Sequence, residues 1–297
     1  MIEHHTVRYK DSLNLCFYRI CQTLLLLLMA GQVSYTQDLR VSSSHIYRKA
    51  MSLEFPESIE LIKAAERKYH TSKSYLLKSD EPITISIQFI NASGHSVDEF
   101  ASIEEIHLSN LNQAFTMEGQ PLSQYDGYEH LLDTANISFD IERSIDLDIP
   151  IIWEDWNTWI PELVQSDAIK IWVINTPNDV GSYADHILGE EPLGIVLDVD
   201  AFNNLDNSAL IIMMGEYLGL SSLYDESGMC RDDKIRDTPR HNSKCTSCIP
   251  TYIKSICDNK TYMCGNFMSL APDHCKSFFT KGQVRRMHFM LTLSKLK

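Results

Sequence analysis

The stretch from Asn207 to Tyr224, NSALIIMMGEYLGLSSLY, limits what this chain can fold into more than any other. The unbroken apolar run from Ala209 to Met214, followed by Tyr217, Leu218 and Leu220, predicts a helix that is apolar nearly all round, with Ser208 placed to cap its first turn. Such a helix is stable only inside a core, so the other elements must be arranged about it. Two residues suit plain core filling badly. Gly215 in mid-helix costs about 1 kcal/mol against alanine, and Glu216 puts a carboxylate among residues destined for burial. Gly219 marks a sharp exit.

A chain of 297 residues, 44% hydrophobic and with only 12 glycines and 10 prolines, can bury a substantial core and is neither disordered nor fibrous. Its 40 acidic against 26 basic residues give a net charge of −14, which repels nucleic acid and anionic membrane surfaces. Near the N-terminus, Lys10 and Arg19 precede an apolar run centred on Leu24 to Ala30, and Ser34 and Thr36 offer small residues before Gln37. Residues 1–36 therefore read as a secretory signal peptide and the protein as secreted or extracytoplasmic. Asn14, Arg19 and Gln22 interrupt the run, leaving fewer than the ~20 apolar residues of a spanning helix, so no membrane association is expected after cleavage. Cys16 and Cys21 would leave with the signal. Cys230, Cys245, Cys248, Cys257, Cys264 and Cys275 then form an even set in the last third, which reads as a three-disulfide framework whose pairing the spacing does not rank. The rival reading is a zinc site on the Cys245/Cys248 CxxC pair, although no second CxxC or HxxxH follows.

Residues 37–78 read as an N-terminal segment packed on the main domain, or a pro-segment. Ile59, Leu61, Ile62 and Ala65 make an amphipathic helix over Phe55–His70 that Pro56 can start, and no cysteine is present to supply a thiolate to a metal. Residues 79–297 read as a single α/β domain. Ile83, Ile85, Ile87 and Phe89 alternate with polar residues as a half-buried strand ending near Asn91 and Gly94. Ser102 to Met117 predicts a helix with Ile103, Ile106, Leu111, Ala114 and Phe115 inward. Ile137, Phe139 and Ile141 predict a second strand with a wet outer face. Trp153, Trp156 and Trp159 share a threefold spacing that suits a hydrophobic buttress or an exposed binding patch. Ile169–Ile174 and Ile195–Val199, rich in β-branched residues, predict central strands joined by a loop holding Gly181, His186 and Gly189. Thr280 and Gln283 form a capping box for a last helix reaching Lys295, with Val284, Met287 and Leu291 inward.

After the apolar helix come Cys230 with Asp232 and Asp233, then Asp237–Thr238–Pro239, then Asn266–Phe267–Met268, then Cys275 and the run FTKGQVRRM from Phe279 to Met287. With IWVIN at 171–175, GSYA at 181–184 and GIVLD at 194–198, this ordered series resembles the pappalysin family of metzincin zinc peptidases over approximately residues 80–290. The resemblance implies a metzincin-like α/β fold: a twisted mixed sheet packed against a central helix, with a disulfide-rich C-terminal subdomain and Met268 in a Met-turn. It also implies the family's HExxHxxGxxH site, and Gly219 lays that pattern on Ile212, Glu216 and Ser222 as ligand positions and Met213 as the base. None of the three histidines is there, nor the glutamate, and Leu270 stands where active relatives have tyrosine. Isoleucine has no lone pair and methionine cannot deprotonate water, so no zinc and no catalytic residue are expected.

The cofactor left open is calcium at Asp232, Asp233 and Asp237, which the resemblance suggests, against a solvated acidic loop. His186, His241, His274 and His288 read as ordinary surface or capping histidines. Asn91, Asn136 and Asn259 begin N-glycosylation sequons. The expected function is a secreted, catalytically inactive pseudopeptidase that binds a polypeptide, by strand addition along Ile137 to Glu142. The alternative is a metal-dependent endopeptidase with a relocated site built on carboxylates such as Glu216 and Asp198; a third reading is a purely structural domain. The sequence specifies no oligomeric state.

Overall fold

The structure, a computed structural model, describes residues 63–65, 67–69, 81–118, 128–147, 167–177, 181–188, 194–223, 230, 232–242, 244–248 and 252–294. The signal-peptide stretch, most of residues 37–78 and the tryptophan span 149–163 lie outside the described residues. All described residues belong to the unit Arg40–Lys297.

The sheet is built outward from β1 (Ile83–Asn91), whose alternation puts Ile85, Ile87 and Phe89 on the face that meets the helices. β3 (Ile137–Ile141) pairs with it in parallel on one side, and β5 (Ile169–Ile174) on the other. The short β4 (Ile145–Asp146) continues the β3 side along the end of β1. β7 (Ile195–Asp198) adds in parallel to β5, and a two-residue strand, β6 (Tyr183–Ala184), runs antiparallel along β7, giving the order β3-β1-β5-β7-β6. A parallel strand at mid-sheet is covered on both faces, and every residue of β5 is buried. That includes Lys170, whose ammonium donates to the Ala168 carbonyl at 3.0 Å and whose pKa burial lowers.

Helix α1 (Val97–Thr116) lies on β3, with Phe100, Leu111, Ala114 and Phe115 buried. It starts earlier than the predicted Ser102 because Ser96 is the N-cap, its hydroxyl accepting from the Glu99 amide at 3.4 Å. The earlier start fixes which stripe faces inward, and that stripe includes Glu104 and His107. Ile106, expected inside, is 41% exposed. Burial raises the Glu104 carboxyl, which accepts from the Ser144 hydroxyl, and lowers the His107 imidazole, whose Nε2 meets the Phe202 carbonyl at 2.7 Å. α2 (Val199–Asn203), α3 (Ala209–Tyr217) and α4 (Lys281–Leu293) complete the helices named here. α4 has the full predicted capping box, and Val284, Met287 and Leu291 are buried along it. Ala65 and Tyr69, in the helical stretch within residues 63–69, join the same core, with the Tyr69 ring 5.3 Å from that of Phe289.

The C-terminal part is loop-rich. It contains the hairpin β8 (Tyr252–Lys254) and β9 (Thr261–Met263), and a pairing of β10 (Phe279–Thr280) with β2 (Leu132–Asp133). Three disulfides staple it: Cys230–Cys257, Cys245–Cys264 and Cys248–Cys275. The CxxC zinc reading is overturned, since Cys245 and Cys248 each bond a different, distant cysteine. Asp237 joins this part to α4, accepting from Thr280 Oγ1 at 2.9 Å and from the Gly282 amide at 2.7 Å. A Cβ at Gly282 would lie 2.3 Å from Asp237 Oδ1 and 2.5 Å from Ile235 Cγ2. Gly282→Ala is expected to break this clamp and destabilise the fold by about 1–3 kcal/mol, read as a lowered thermal midpoint with the disulfides intact.

Candidate functional site

α3 carries the positions that the resemblance marks for chemistry. Its residues from Leu210 to Tyr217 are all buried, including Ile212 at 7%, Met213 at 4% and Glu216 at 2% exposure. Ser208 does not cap it as expected. The Ser208 hydroxyl instead donates to Asp273 Oδ1 at 2.5 Å, and the cap falls to Asn207, whose Oδ1 accepts from the Ala209 amide at 2.9 Å.

Both glycines of the helix are explained by close approach. A Cβ on Gly215 would stand 3.0 Å from Met268 Sδ and 3.4 Å from Leu220 Cδ1, so the turn bearing Met268 lies directly under the helix. Gly219 has φ +88°, and a Cβ there would meet Met290 Cγ at 2.7 Å. Beyond it, Leu220 N donates to the Gly215 carbonyl at 2.9 Å and turns the chain back, and Leu223 N then donates to the Met268 carbonyl at 2.9 Å. The Met268 turn is held by side chains. Asn266 Oδ1 accepts from the Met268 amide at 2.9 Å, and its carboxamide pairs reciprocally with that of Gln283 at 2.7 and 3.1 Å. Arg286, buried to 2% exposure, donates from Nε to the Gly219 carbonyl at 2.6 Å and lies 5.6 Å from the Tyr69 ring. Nothing in the FTKGQVRRM run marks Arg286 as interior rather than surface.

Ile212 and Met213 belong to the main hydrophobic core together with Met268 and Phe267; Ser222 is buried at 6% and Leu270 is half-buried. The donor set at the positions mapped for zinc is thus one carboxylate, one hydroxyl and no imidazole, which does not fit that ion. Among the described residues, no trio of potential metal ligands contains more than one histidine. His186 packs at the helix exit, with Nδ1 accepting from the Leu188 amide at 3.1 Å. His241 stacks on Tyr262 at 3.9 Å, and His288 Nε2 meets the Ala135 carbonyl at 2.6 Å. Among the described residues one trio has metal-ligand spacing, Cys248, His274 and Cys275, but its two sulfurs are joined to each other and are not thiolates.

The three aspartates weighed for calcium bind the chain's own donors. Asp232 accepts from the Lys234 amide at 2.9 Å and its ammonium at 3.0 Å, and Asp237 makes the clamp on α4. Asp233 accepts from Thr238 Oγ1 at 2.8 Å and the Ile235 amide at 3.0 Å. Part of the β3 edge is occupied from within the chain. The outward N–H and C=O of Phe139 are both taken by Asn112 of α1, at 2.6 and 3.0 Å, so an added strand would have to displace that carboxamide. The edge that packs on α3 is β6, with the Ile187 amide bonded to the Tyr217 carbonyl at 3.0 Å.

A parallel-dominated sheet closed by an antiparallel edge strand, a central helix leaving at a left-handed glycine and a methionine turn beneath it make a metzincin-like fold. Residues 193–292 match the peptidase M43 family model, described as pregnancy-associated plasma protein-A. Among solved structures the chain is similar to mature mirolysin from Tannerella forsythia in complex with a cleaved peptide, at 22% identity and TM-score 0.56, covering 71% of this chain and 91% of that one. It is also similar to a promirolysin mutant from the same organism, at 21% identity and TM-score 0.57, covering 87% and 92%. Mirolysin in complex with compound 9 aligns at 20% identity and TM-score 0.52, covering 70% and 91%. No curated protein matches the chain.

Burial raises the Asp233 carboxyl to about 6, against the opposing pull of Thr238, the Ile235 amide and Arg286. A folded pKa above the unfolded value makes this group's contribution largest in acid, and the contribution is lost as pH rises through about 6. Between pH 4 and pH 7, Asp233→Asn should remove a stability slope worth a few kcal/mol at most, measured as the difference in urea midpoint from the unmutated protein.

Proposed function

We propose that this protein is a catalytically inactive metzincin-type domain, exported from the cell, whose work is to bind a polypeptide. The observation that carries the reading is the burial of Ile212 and Met213 in the main core at the places mapped for a zinc ligand and the general base. A hydrocarbon and a thioether there neither hold a metal nor move a proton, while the Met268 turn and the Gly219 exit that relatives need are kept. Polypeptide binding is supported by the fold shared with mirolysin, which has been solved with a cleaved peptide. Three disulfides favour an oxidising compartment, and no helix among the described residues is long and apolar enough to cross a membrane. Residues 37–78 are proposed as a pro-segment-like addition. The larger share of this chain covered by the promirolysin mutant than by mature mirolysin, 87% against 71%, supports that assignment.

The alternative, a peptidase with relocated carboxylates, would have to draw on an acid already engaged in the fold. Asp198 accepts from the Thr176 amide at 3.1 Å, from its hydroxyl at 2.5 Å and from the Asp200 amide at 3.0 Å as the N-cap of α2.

Purified protein is expected to carry no stoichiometric zinc by elemental analysis and to leave unstructured protein substrates uncut. Stoichiometric zinc together with chelator-sensitive cleavage would overturn the proposal. The combined variant Ile212→His, Met213→Glu, Glu216→His and Ser222→His should bind zinc in a one-to-one ratio, since the helix and its exit turn keep the required spacing.

A further inference from the structure

Three sequons begin at Asn91, Asn136 and Asn259, and the fold treats them differently. Asn91 is 2% exposed at the end of β1. Its Nδ2, the atom a glycan would occupy, donates to the His95 carbonyl at 2.9 Å and to Asp146 Oδ1 at 2.6 Å, and the hydroxyl of its own sequon, Ser93 Oγ, is bonded to Asn91 Oδ1 at 2.8 Å. Asn136 is half-buried where the chain enters β3, and its sequon hydroxyl, Ser138 Oγ, lies against Thr84 Oγ1 at 3.1 Å.

Asn259 is different. It is exposed, at φ +62°, in the turn between β8 and β9, and Thr261, the hydroxyl of its sequon, opens β9. The turn is braced on both sides. The Ser255 amide donates to the Lys260 carbonyl at 2.7 Å, Ser255 Oγ accepts from the Cys257 amide at 3.0 Å, and Cys257 is bonded to Cys230. Three residues before the asparagine, Ile256 is 78% exposed, more than any other large hydrophobic among the described residues. An apolar side chain standing in water on a rigid turn suits a neighbouring sugar that covers it.

We infer that Asn259 is an N-glycosylation site and carries an N-linked oligosaccharide on the mature protein, an inference that rests on the export reading. In the transfer, Asn259 Nδ2 attacks the anomeric carbon of a polyprenyl-pyrophosphate-linked oligosaccharide. The C–N bond forms, the C–O bond to pyrophosphate breaks, and the amide loses one proton.

The full chain is expressed in glycosylating eukaryotic cells in two forms, with its own N-terminus and behind a cleavable heterologous leader. The second form tests the site whether or not the native leader works. Its secreted product should shift in mobility on treatment with peptide N-glycosidase, and peptide mapping should find aspartate at the released site. Asn259→Gln and Thr261→Ala should abolish the shift; Thr261→Ser, which keeps the sequon, and Ser93→Ala should retain it. Secreted protein without a shift, or a shift that survives both Asn259→Gln and Thr261→Ala, overturns the assignment. Failure of only the native-leader form to reach the medium counts against export and leaves the result at Asn259 standing.

Discussion

The approach of Met268 to the backbone of α3 at Gly215 is the contact on which the remaining geometry depends. A side chain at position 215 would press on Met268 Sδ, in the same turn whose carbonyl accepts from the Leu223 amide. The turn in turn leans on α4 through the paired carboxamides of Asn266 and Gln283, and α4 returns to the helix exit through Arg286 and Gly219. The contacts form a closed ring: helix, turn, last helix, helix exit. Each member is buried, so each polar group in it must be matched by another. This explains why the segment's glycines, Asn266 and Gln283 are needed for packing alone, whatever chemistry the helix carries.

That distinction bears on how such a fold could lose its metal and stay folded. A bound metal ties a helix to the segment beyond its exit, and its binding energy counts toward folding. Here the same two segments are joined by apolar packing of Ile212 and Met213 into the core and by the Leu223–Met268 bond. At about 25 cal/mol per Å² of apolar surface removed from water, such side chains each contribute on the order of 2 kcal/mol. The disulfides brace the loops downstream. In the proposed reading, hydrophobic burial has taken over a link that in a metal-bearing relative belongs to the ion.

Long elements with one dominant periodicity were legible in the sequence: β1 by alternation, β5 and β7 by continuous apolar runs, α4 by its capping box, α3 by sheer hydrophobicity. The failures share a cause. They depend on which distant residue arrives, and no local window contains that. Ser208 looked like the cap of α3 until Asp273 claimed its hydroxyl, leaving Asn207 to cap. On β3, Asn112 takes the outward groups of Phe139, and β6 is too short to have a period at all. At the site, the residue types at 212, 213 and 222 are legible because side-chain chemistry is a property of the residue itself, whereas the inward turn of Arg286 is not.

The same separation favours, in the proposed reading, an inert scaffold over a site rebuilt from acids. A carboxylate can take part in hydrolysis only if at least one oxygen is available to a metal or a water. Asp198, Asp233, Asp237 and Asp273 all have strategic positions, but each receives hydrogen bonds from amides, hydroxyls or an ammonium that fix a turn, a cap or a helix start. Recruiting Asp233, Asp237 or Asp273 would strip a buried hydroxyl, that of Thr238, Thr280 or Ser208, of its acceptor, at about 1–3 kcal/mol each. Glu216 is different in lying on the helix face mapped for a ligand, yet a single acid supplies one donor where zinc needs three from protein. In the proposed reading, catalysis here would require new side chains, because Asp198, Asp233, Asp237 and Asp273 are already engaged in holding turns, caps and helix starts.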